Sequence, residues 1–489
     1  MVGGVGGVGA VTRRGLLVAL ALLATGAPAC SGSSDGASTG STASDGTVAP
    51  VGAAEGIGDD TFPSLGSDDI DVSHYDLDLT WDPGAGALTA EVAIDLTTRG
   101  VLEVVELDFG ELTVDGVRLA VGGGAPTEAE FEQGAGKLVI DAADPIPEAT
   151  PVVVEVTYSG NPAPVTSVAP IPIGWVRTDD DGVATPSEPD AAHTWFPCND
   201  HPTDKATYRT TVHAPEGLTS VANGVREATA TEGGTTTSTW VMDAPMATYL
   251  ALVAIDSFDE QDDGTAAGVP LRNYVPAGQG GNFAGGLGSQ PTMVEYMVDR
   301  LGPYPFAEYG AVIVTGGNTA LETQGRSLFF GPSARDRATV MHELSHQWIG
   351  DSVSVTSWRR DIWWVEGFGR FSEWLWAERS EGPGGYAGRA ELAYQGLQFD
   401  ERLAIGEVAP EQLFDSRVYE GGALVFYALR AELGDEQFFA AMRLFAERFR
   451  HGNATTDDLF AVFAEVAGRD VRPVAEPFLT AGPLPPLEF

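Results

Sequence analysis

The sequence predicts a multidomain chain, with an all-β, sandwich-like domain at residues 63–262 followed by an α+β domain at residues 263–489. In the first stretch, short runs of alternating apolar and polar residues are separated by Gly, Pro and Asp, which is typical of strands and turns. In the second stretch, long helical patterns follow one short apolar run. Hydrophobic residues make up 43% of the 489 residues, enough to build a core in both parts.

Individual segments carry these patterns. The clearest strands are expected at residues 74–80, 89–96, 137–141, 152–158, 208–213 and 239–242. A buried strand is expected at 311–315, and helices are expected at 334–350, 363–381, 389–400, 421–433, 436–449 and 456–467. Gly434 and Gly468 stand where helices commonly end.

Residues 1–30 have the features of an export signal. Arg13 and Arg14 precede the apolar run 16–23, and small residues lead to Cys30. That run is shorter than the roughly 20 apolar residues that cross a bilayer. Residues 27–30 resemble a bacterial lipobox, and the Ser-, Gly- and Thr-rich residues 31–62 suit a disordered tether. We therefore expect a lipid anchor on Cys30 at the outer face of the cytoplasmic membrane, with plain secretion as the alternative.

The charge of the chain excludes some partners. Its formal net charge is −43, from 70 acidic and 27 basic residues. Such a surface repels nucleic acid and anionic membranes, so neither is an expected partner apart from the lipid anchor. A soluble, self-repelling surface explains the acidity, and attraction of cationic peptides is a second explanation. Cys30 and Cys198 are too few for a disulfide framework, and Cys198 is expected to be a small buried residue.

The most informative segment is HELSHQW at residues 342–348, inside a helical pattern. His342 and His346 are four residues apart, so their imidazoles leave the same face of a helix. Glu343 lies about 100° round that helix, beside an ion held by the pair. Two imidazoles and a carboxylate suit Zn²⁺ with one position left for water, whose pKa the metal lowers towards ~7. Two surface histidines on an ordinary helix are the competing interpretation.

Glu366 is the expected third ligand, because it belongs to the following helical pattern. Its neighbours in WWVEGF, residues 363–368, are mostly large and apolar, which argues against a solvated position. A buried carboxylate needs a partner such as a metal ion. A plain surface glutamate remains the alternative at this position.

Several motifs in order resemble the gluzincin aminopeptidases, the aminopeptidase N and leukotriene hydrolase family. They are WFPCNDHP at 195–202, ALETQ at 320–324, HELSHQW at 342–348, VEGF at 365–368, VYEGGAL at 418–424 and AGRD at 467–470. The resemblance covers most of the chain after residue 70. It implies a thermolysin-like catalytic domain that holds one zinc ion per chain. The large C-terminal helical domain of many relatives is expected to be absent.

The resemblance also implies catalytic and metal-binding roles. The expected zinc ligands are His342, His346 and Glu366. Glu343 is expected to be the general base that activates water, and Tyr419 the phenol that stabilises the oxyanion. A tyrosine suits that task because its pKa near 10 keeps it protonated at neutral pH. Tyr419 as an ordinary core tyrosine is the alternative.

Three further residues are expected to bind substrate. Glu322 matches the acidic residue that binds the free α-ammonium in this family, Ala320 lies in the same motif, and Glu188 is similar to a second amine-binding position. Carboxylates in a partly desolvated site would hold an ammonium by charge-assisted hydrogen bonds. Ordinary loop acids are the alternative for Glu188 and Glu322.

Two positions depart from the family's pattern. Nineteen residues separate His346 from Glu366, one more than is usual, and a loop near Arg359 and Arg360 is expected to absorb the extra one. An extra residue inside a helix would instead turn Glu366 by about 100°. Thr319 stands where the family usually has Gly, a position that lets the backbone approach the substrate.

The sequence thus predicts an exported zinc aminopeptidase that acts on peptides with a free N-terminus. A zinc endopeptidase is the first alternative, and it would cleave N-acetylated peptides equally well. A catalytically silent, peptide-binding surface lipoprotein is the second, and it would hold no zinc. The preferred N-terminal residue, the physiological substrate and the oligomeric state leave no recognisable pattern.

Overall fold

The computed structural model describes residues 56–179, 182–399 and 403–487. The predicted signal peptide, Cys30 and residues 31–55 of the predicted tether lie outside the described residues. Among the helices of the described part, none combines the length and the hydropathy needed to span a membrane.

The first part of the chain consists of β-strands. In chain order they are β1 (Ile70–Asp82), β2 (Ala87–Thr98), β3 (Leu102–Asp108), β4 (Thr113–Val121), β5 (Thr127–Glu128), β6 (Phe131–Gly134), β7 (Lys137–Ile146), β8 (Pro151–Gly160), β9 (Val176–Arg177), β10 (Val183–Ala184), β11 (Ala206–Pro215), β12 (Thr219–Ala222), β13 (Val225–Glu232), β14 (Thr235–Met246) and β15 (Val253–Asp256). They form an eight-stranded sheet in the order β13-β14-β11-β1-β2-β8-β4-β5, a three-stranded sheet β3-β7-β6 and a four-stranded sheet β12-β15-β10-β9.

Alternating burial explains why these segments form strands. Along β1 and β2, buried and more exposed side chains largely alternate, so each strand turns one apolar face inward. Val92 from the eight-stranded sheet belongs to the same core as Val105 and Ile140 from the three-stranded sheet. Each of the six strands expected from the sequence lies inside one of these elements. The predicted sandwich-like β domain is therefore confirmed.

The second part adds helices to a small sheet. Its strands are β16 (Phe258–Ala266), β17 (Val269–Pro276), β18 (Ala311–Val314), β19 (Ala320–Leu321), β20 (Ser327–Phe330), β21 (Val353–Val355) and β22 (Gly452–Ala454). Its helices are α1 (Ala284–Leu287), α2 (Gln290–Leu301), α3 (Arg337–His346), α4 (Trp358–Glu381), α5 (Pro383–Phe399), α6 (Ser416–Arg448), α7 (Thr456–Ala467) and α8 (Arg472–Leu479). The five-stranded sheet has the order β16-β17-β18-β20-β19, which leaves β19 at an edge, and the predicted α+β arrangement is confirmed.

Glycines set the contact between α4 and α6. A Cβ atom on Gly422 would lie 2.2 Å from the carbonyl oxygen of Trp363, and one on Gly367 would lie 2.5 Å from the Cα atom of Gly422. Both distances are far below van der Waals contact, so only glycine permits this approach of the two backbones. The contact brings the first turns of α6 against the middle of α4.

The helix bounds differ in places from the prediction. Residues 456–467 form α7 as expected, with a capping box at Thr455 and a left-handed Gly468 at its end. α4 begins at Trp358 rather than at 363. The two helices expected at 421–433 and 436–449 both lie within α6, which is kinked between them at Gly434, where φ 75° and ψ 164° are not helical. Gly434 therefore marks the break between the two helices, as predicted.

Two predicted boundaries are also displaced. The division between residues 262 and 263 falls inside β16, which pairs with β17 and therefore belongs to the second sheet. The chain passes from one part to the other between β15 and β16. Residues 56–62, expected in the tether, contact the folded part: Ile57 N–H donates to Leu65 O at 3.1 Å, and Asp59 Oδ2 lies 3.4 Å from His201 Nε2.

Candidate active site

The three predicted metal ligands converge on one point. Ligand atoms of His342, His346 and Glu366 lie within 4.8 Å of one another, and all three side chains are buried. Glu366 Oε2 is 3.2 Å from His342 Nε2 and 3.7 Å from His346 Nε2. We call these three residues the histidine group.

Local structure explains the convergence. Asp336 caps α3 by accepting the N–H groups of Ala338 and Thr339, each at 3.3 Å, so the helix that carries both histidines begins at a defined residue. On α4, a Cβ atom at Gly369 would lie 2.7 Å from His342 Nε2 and 2.8 Å from His346 Nε2. Glycine at this position keeps the space in front of the imidazoles open.

The Nδ1 atoms orient both imidazoles. His342 Nδ1 lies 2.8 Å from Glu373 Oε1, and His346 Nδ1 donates to the carbonyl oxygen of Ile349 at 3.1 Å. With Nδ1 engaged in this way, the Nε2 atoms of both rings remain to bind a metal beside Glu366. Two imidazoles and one carboxylate form the donor set of catalytic zinc sites, so these residues fit Zn²⁺.

Opposite pKa shifts in the two histidines support this fit. Burial disfavours a charged His342, but hydrogen bonds to Glu366 and Glu373 outweigh it and raise its pKa to about 10. Burial and the charge of His342 lower the pKa of His346 to about 4. A positive charge on His342 therefore disfavours a second one on His346, whose neutral ring is the form that binds a metal.

The extra residue before Glu366 does not turn this side chain away from the histidines. α4 begins at Trp358, so Arg359 and Arg360 lie in its first turn. The prediction of a loop at these two residues is therefore wrong. The connection between α3 and α4 at residues 347–357 contains β21, so most of the spacing between His346 and Glu366 lies outside both helices.

Glu188 and Glu322 lie beside Glu366. Each of these three glutamates places a carboxylate oxygen within 4.8 Å of the other two, and we call them the carboxylate group. Glu322 directly follows the edge strand β19, whereas Glu188 lies in a segment after β10. In that segment, Trp195 Nε1 donates to Ser187 Oγ at 3.1 Å, so the WFPCNDHP motif supports the position of Glu188.

Among the described residues, Glu188 and Glu322 form no ion pair with Arg, Lys or His, whereas Glu366 lies beside His342. Glu322 Oε1 is buried there without a hydrogen-bond partner. Burial and the charge of Glu322 raise the pKa of Glu188 well above its usual range. Burial and the charge of Glu366 raise the pKa of Glu322 to about 7. Buried carboxylates that raise one another's pKa form a site for a positively charged ligand.

Glu343 and Tyr419 border the same space. Glu343 is buried on α3, and burial raises its pKa well above the usual range. The Tyr419 ring stacks against His342 with 6.0 Å between centroids. Burial and the charge of Glu366 keep the pKa of Tyr419 well above 10, so its hydroxyl is a neutral donor.

One cavity of about 440 Å³ connects the predicted residues. All eight of them line it: Glu188, Ala320, Glu322, His342, Glu343, His346, Glu366 and Tyr419. Ala320 lies in the edge strand β19, and Thr319 lines the same wall. The structure therefore brings together every residue that the sequence singled out for this site.

Sequence reasoning missed Gly369, Arg370 and Glu373. Arg370 and Glu373 line the cavity, and Arg370 Nη1 donates to Glu373 Oε2 at 2.6 Å. Glu373 follows Glu366 by seven residues, or two helical turns, so helical spacing was the signal that could have identified it. The role of Gly369 depends on the packing of α4 against α3, which no local pattern predicts.

Both parts of the chain match domains of known protein families. Residues 72–250 match the Peptidase M1 N-terminal domain, and residues 331–478 match the Peptidase family M1 domain. "Aminopeptidase M1-D" of Oryza sativa is 26% identical over 433 residues, which cover 81% of this chain and 48% of that protein. "Glutamyl aminopeptidase" of Homo sapiens is 26% identical over 322 residues, 60% of this chain and 33% of that protein. The chain thus spans about half of the length of the curated relatives that it matches, or less.

Solved structures match over nearly their whole length. The crystal structure of an M1 zinc metallopeptidase from Deinococcus radiodurans has a TM-score of 0.81 and 28% identity, and the match covers 88% of this chain and 98% of that one. A mutant of that protein bound to a Tyr-Ser-Ala substrate matches equally well, with a TM-score of 0.81. Both family domains occur in order, and the second contains the histidine group that fits zinc, so the chain belongs to the M1 family of zinc metallopeptidases.

Proposed function

We propose that this protein is a zinc aminopeptidase that hydrolyses the N-terminal peptide bond of peptides. The observation that carries the proposal is that Glu188 and Glu322 form no ion pair among the described residues and lie beside Glu366, which also belongs to the histidine group. The α-ammonium of a peptide is a cation that can satisfy Glu188 and Glu322 by charge-assisted hydrogen bonds. An ammonium held there keeps the first peptide bond beside the histidine group, so cleavage is limited to the N-terminal residue.

His342, His346 and Glu366 would hold the zinc ion. When bound, zinc supplies a Lewis acid that polarises the scissile carbonyl and makes water more acidic. Its positive charge also favours the ionised form of nearby carboxyl groups, which offsets the effect of burial on Glu343. An ionised Glu343 is the state that a general base requires.

Two side chains act on the reacting atoms. The Glu343 carboxylate takes a proton from the attacking water and passes it to the leaving amide nitrogen. The Tyr419 hydroxyl donates a hydrogen bond to the oxygen on which negative charge develops. Burial and the charge of Glu366 raise the pKa of Tyr419, which favours the protonated, donating form at neutral pH.

The proposal is tested with one peptide in two forms, with a free amino terminus and with an N-acetyl group. We expect hydrolysis of the free peptide alone, its loss on chelation and its recovery with Zn²⁺. Equal cleavage of both forms would support an endopeptidase instead. No bound zinc in the intact protein, together with peptide binding without turnover, would support a silent binding protein. The names of the relatives and the Tyr-Ser-Ala complex of the Deinococcus radiodurans mutant support the aminopeptidase.

We also propose that the protein is exported and anchored by a lipid on Cys30. The support is the sequence of residues 1–30 and the Ser-, Gly- and Thr-rich segment that follows. Labelling of cells with a radioactive or clickable fatty acid should mark the wild-type chain and leave Cys30→Ala unmarked. Release of unlabelled wild-type protein into the medium would support plain secretion.

A further inference from the structure

The turn that carries Glu322 is held by the helix that carries the histidines. Gln347 directly follows His346, and its side-chain amide reaches the backbone of the turn at residues 322–325. Gln347 Nε2 donates to the carbonyl oxygen of Glu322 at 3.1 Å. Gln347 Oε1 accepts the N–H of Gly325 at 2.7 Å. The amide thus links both ends of the turn to the C-terminal end of α3.

These two backbone groups are the pair that a hydrogen-bonded β-turn would join directly, from residue i to residue i+3. Gln347 stands between them and satisfies both. A backbone N–H only donates and a carbonyl oxygen only accepts, so one orientation of the amide meets both contacts. Gly325 has φ 77°, a left-handed conformation that favours glycine and exposes its N–H to the amide.

Further contacts hold the amide and the turn in place. Gln347 is fully buried, with 0% of its surface exposed, so loss of either hydrogen bond leaves a backbone group unsatisfied. The Tyr304 hydroxyl donates to Gln347 Oε1 at 3.3 Å. From the β domain, Asn223 Nδ2 donates to the carbonyl oxygen of Gln324 at 2.9 Å. The turn therefore has one defined position relative to α3.

We propose that Gln347 is a positioning residue that sets the distance between the carboxylate of Glu322 and the histidine group. The inference rests on the proposed aminopeptidase function. An ammonium bound at Glu322 presents the first peptide bond to the histidines only if this distance is correct. Gln347 acts through Glu322 and the backbone of the turn and does not touch the substrate.

The test uses Gln347→Met, which keeps the side-chain length but removes both hydrogen bonds. The matched control is Trp348→Phe, which removes a buried indole N–H donated to the carbonyl oxygens of Gly302 and Pro303 at 3.2 and 3.1 Å. The control disturbs the same end of α3 without touching the turn. Gln347→Glu is a second variant, because it keeps the acceptor for Gly325 N–H and loses the donor to Glu322.

Two inhibitors separate the metal from the amine site. Leucine hydroxamate carries a metal-binding group and an α-ammonium, whereas 4-methylpentanoic hydroxamate lacks the ammonium. In the zinc-loaded wild type, leucine hydroxamate should bind at least ~10-fold more tightly than 4-methylpentanoic hydroxamate. Gln347→Met should reduce the ratio of the two inhibition constants, des-amino compound over leucine hydroxamate, about 10-fold. The variant should still hold one zinc per chain, and its inhibition constant for the des-amino compound should change less than about 3-fold. Trp348→Phe should keep the wild-type ratio. The ratio for Gln347→Glu should lie between the ratios for the wild type and for Gln347→Met.

An unchanged ratio in Gln347→Met, in a wild-type protein that is an active aminopeptidase, would overturn the inference alone. So would a loss of zinc, or an equal loss of affinity for both inhibitors, because Gln347 would then support the whole helix. A wild-type protein that hydrolyses no free-amine peptide would contradict the proposed function itself, and the inference would fall with it.

Discussion

The histidine group and the carboxylate group share Glu366 but differ in what holds the other side chains. Each histidine has an Nδ1 partner, Glu373 Oε1 for His342 and the carbonyl oxygen of Ile349 for His346. In the carboxylate group, by contrast, Glu322 Oε1 is buried without a partner among the described residues. The first group is oriented in advance for a metal ion, whereas in the proposed function Glu188 and Glu322 gain a counterion from the α-ammonium of the peptide.

This difference has a physical reason. An imidazole nitrogen binds zinc along the direction of its lone pair, so a second partner that fixes the orientation of the ring raises the affinity for the metal. An ammonium has three N–H donors that can reach carboxylates at a range of positions. Binding it therefore depends more on carboxylates that are shielded from water than on carboxylates held at one fixed angle. The comparison predicts that variants near the histidines change metal binding and rate, and variants near the carboxylates change substrate affinity.

The largest effect is expected for Glu343→Gln. The amide cannot take a proton from water, so kcat should fall roughly 10²–10⁴-fold. Both histidines and Glu366 are untouched, and zinc content measured by elemental analysis should remain at one ion per chain. A variant with full zinc and wild-type kcat would contradict the role of Glu343 as general base.

A smaller loss of kcat is expected for Tyr419→Phe. The ring can keep its stacking on His342, but the developing oxyanion loses one neutral donor. We expect kcat to fall roughly 10²–10³-fold, with KM for a free-amine peptide changed little. If steady-state kinetics showed a raised KM at constant kcat instead, Tyr419 would be a binding residue.

Glu373→Gln should weaken metal binding. Glutamine keeps the size of the side chain but removes the negative charge beside His342 Nδ1, so zinc affinity should fall about 10-fold in competition with a chromogenic chelator. Glu381→Gln is the control, because this residue lies at the end of the same helix and pairs with Arg389 in solvent. Equal zinc affinity in Glu373→Gln and in the control would show that Glu373 does not orient His342.

The smallest effect concerns the stability of the metal-free protein. The pKa of Glu322 is raised from 4.5 to about 7, so the folded chain keeps a proton that the unfolded chain releases above pH 4.5. The free energy of unfolding should therefore decrease as pH rises from about 4.5 to about 7. Urea unfolding at pH 5 and pH 8 should show a smaller decrease for Glu322→Gln than for the wild type.

A surface variant provides the control for this prediction. Glu465→Gln removes a solvent-exposed partner of Arg448 and should leave the pH dependence of unfolding unchanged. If Glu322→Gln and the wild type lost stability in parallel between pH 5 and pH 8, Glu322 would not carry the raised pKa.

The sequence predicted the parts of this site that depend on local spacing. His342 and His346 follow from one helical turn, and outside the site the end of α7 follows from its terminal Gly468. The roles of Glu188 and Glu322 came from motif resemblance, because these residues meet only through the packing of separate sheets. The contact of Gln347 with the turn at 322–325, and the start of the second sheet at β16, depend on tertiary geometry that no local pattern encodes.

The most direct test of the account is anomalous diffraction at the zinc edge from a crystal soaked with an amino-acid amide. Both three-residue groups could hold a metal by distance alone. The account predicts one zinc peak between His342, His346 and Glu366, with the α-ammonium of the amide bound by Glu188 and Glu322. A zinc peak among Glu188, Glu322 and Glu366, or an amide with its ammonium turned away from both carboxylates, would contradict it.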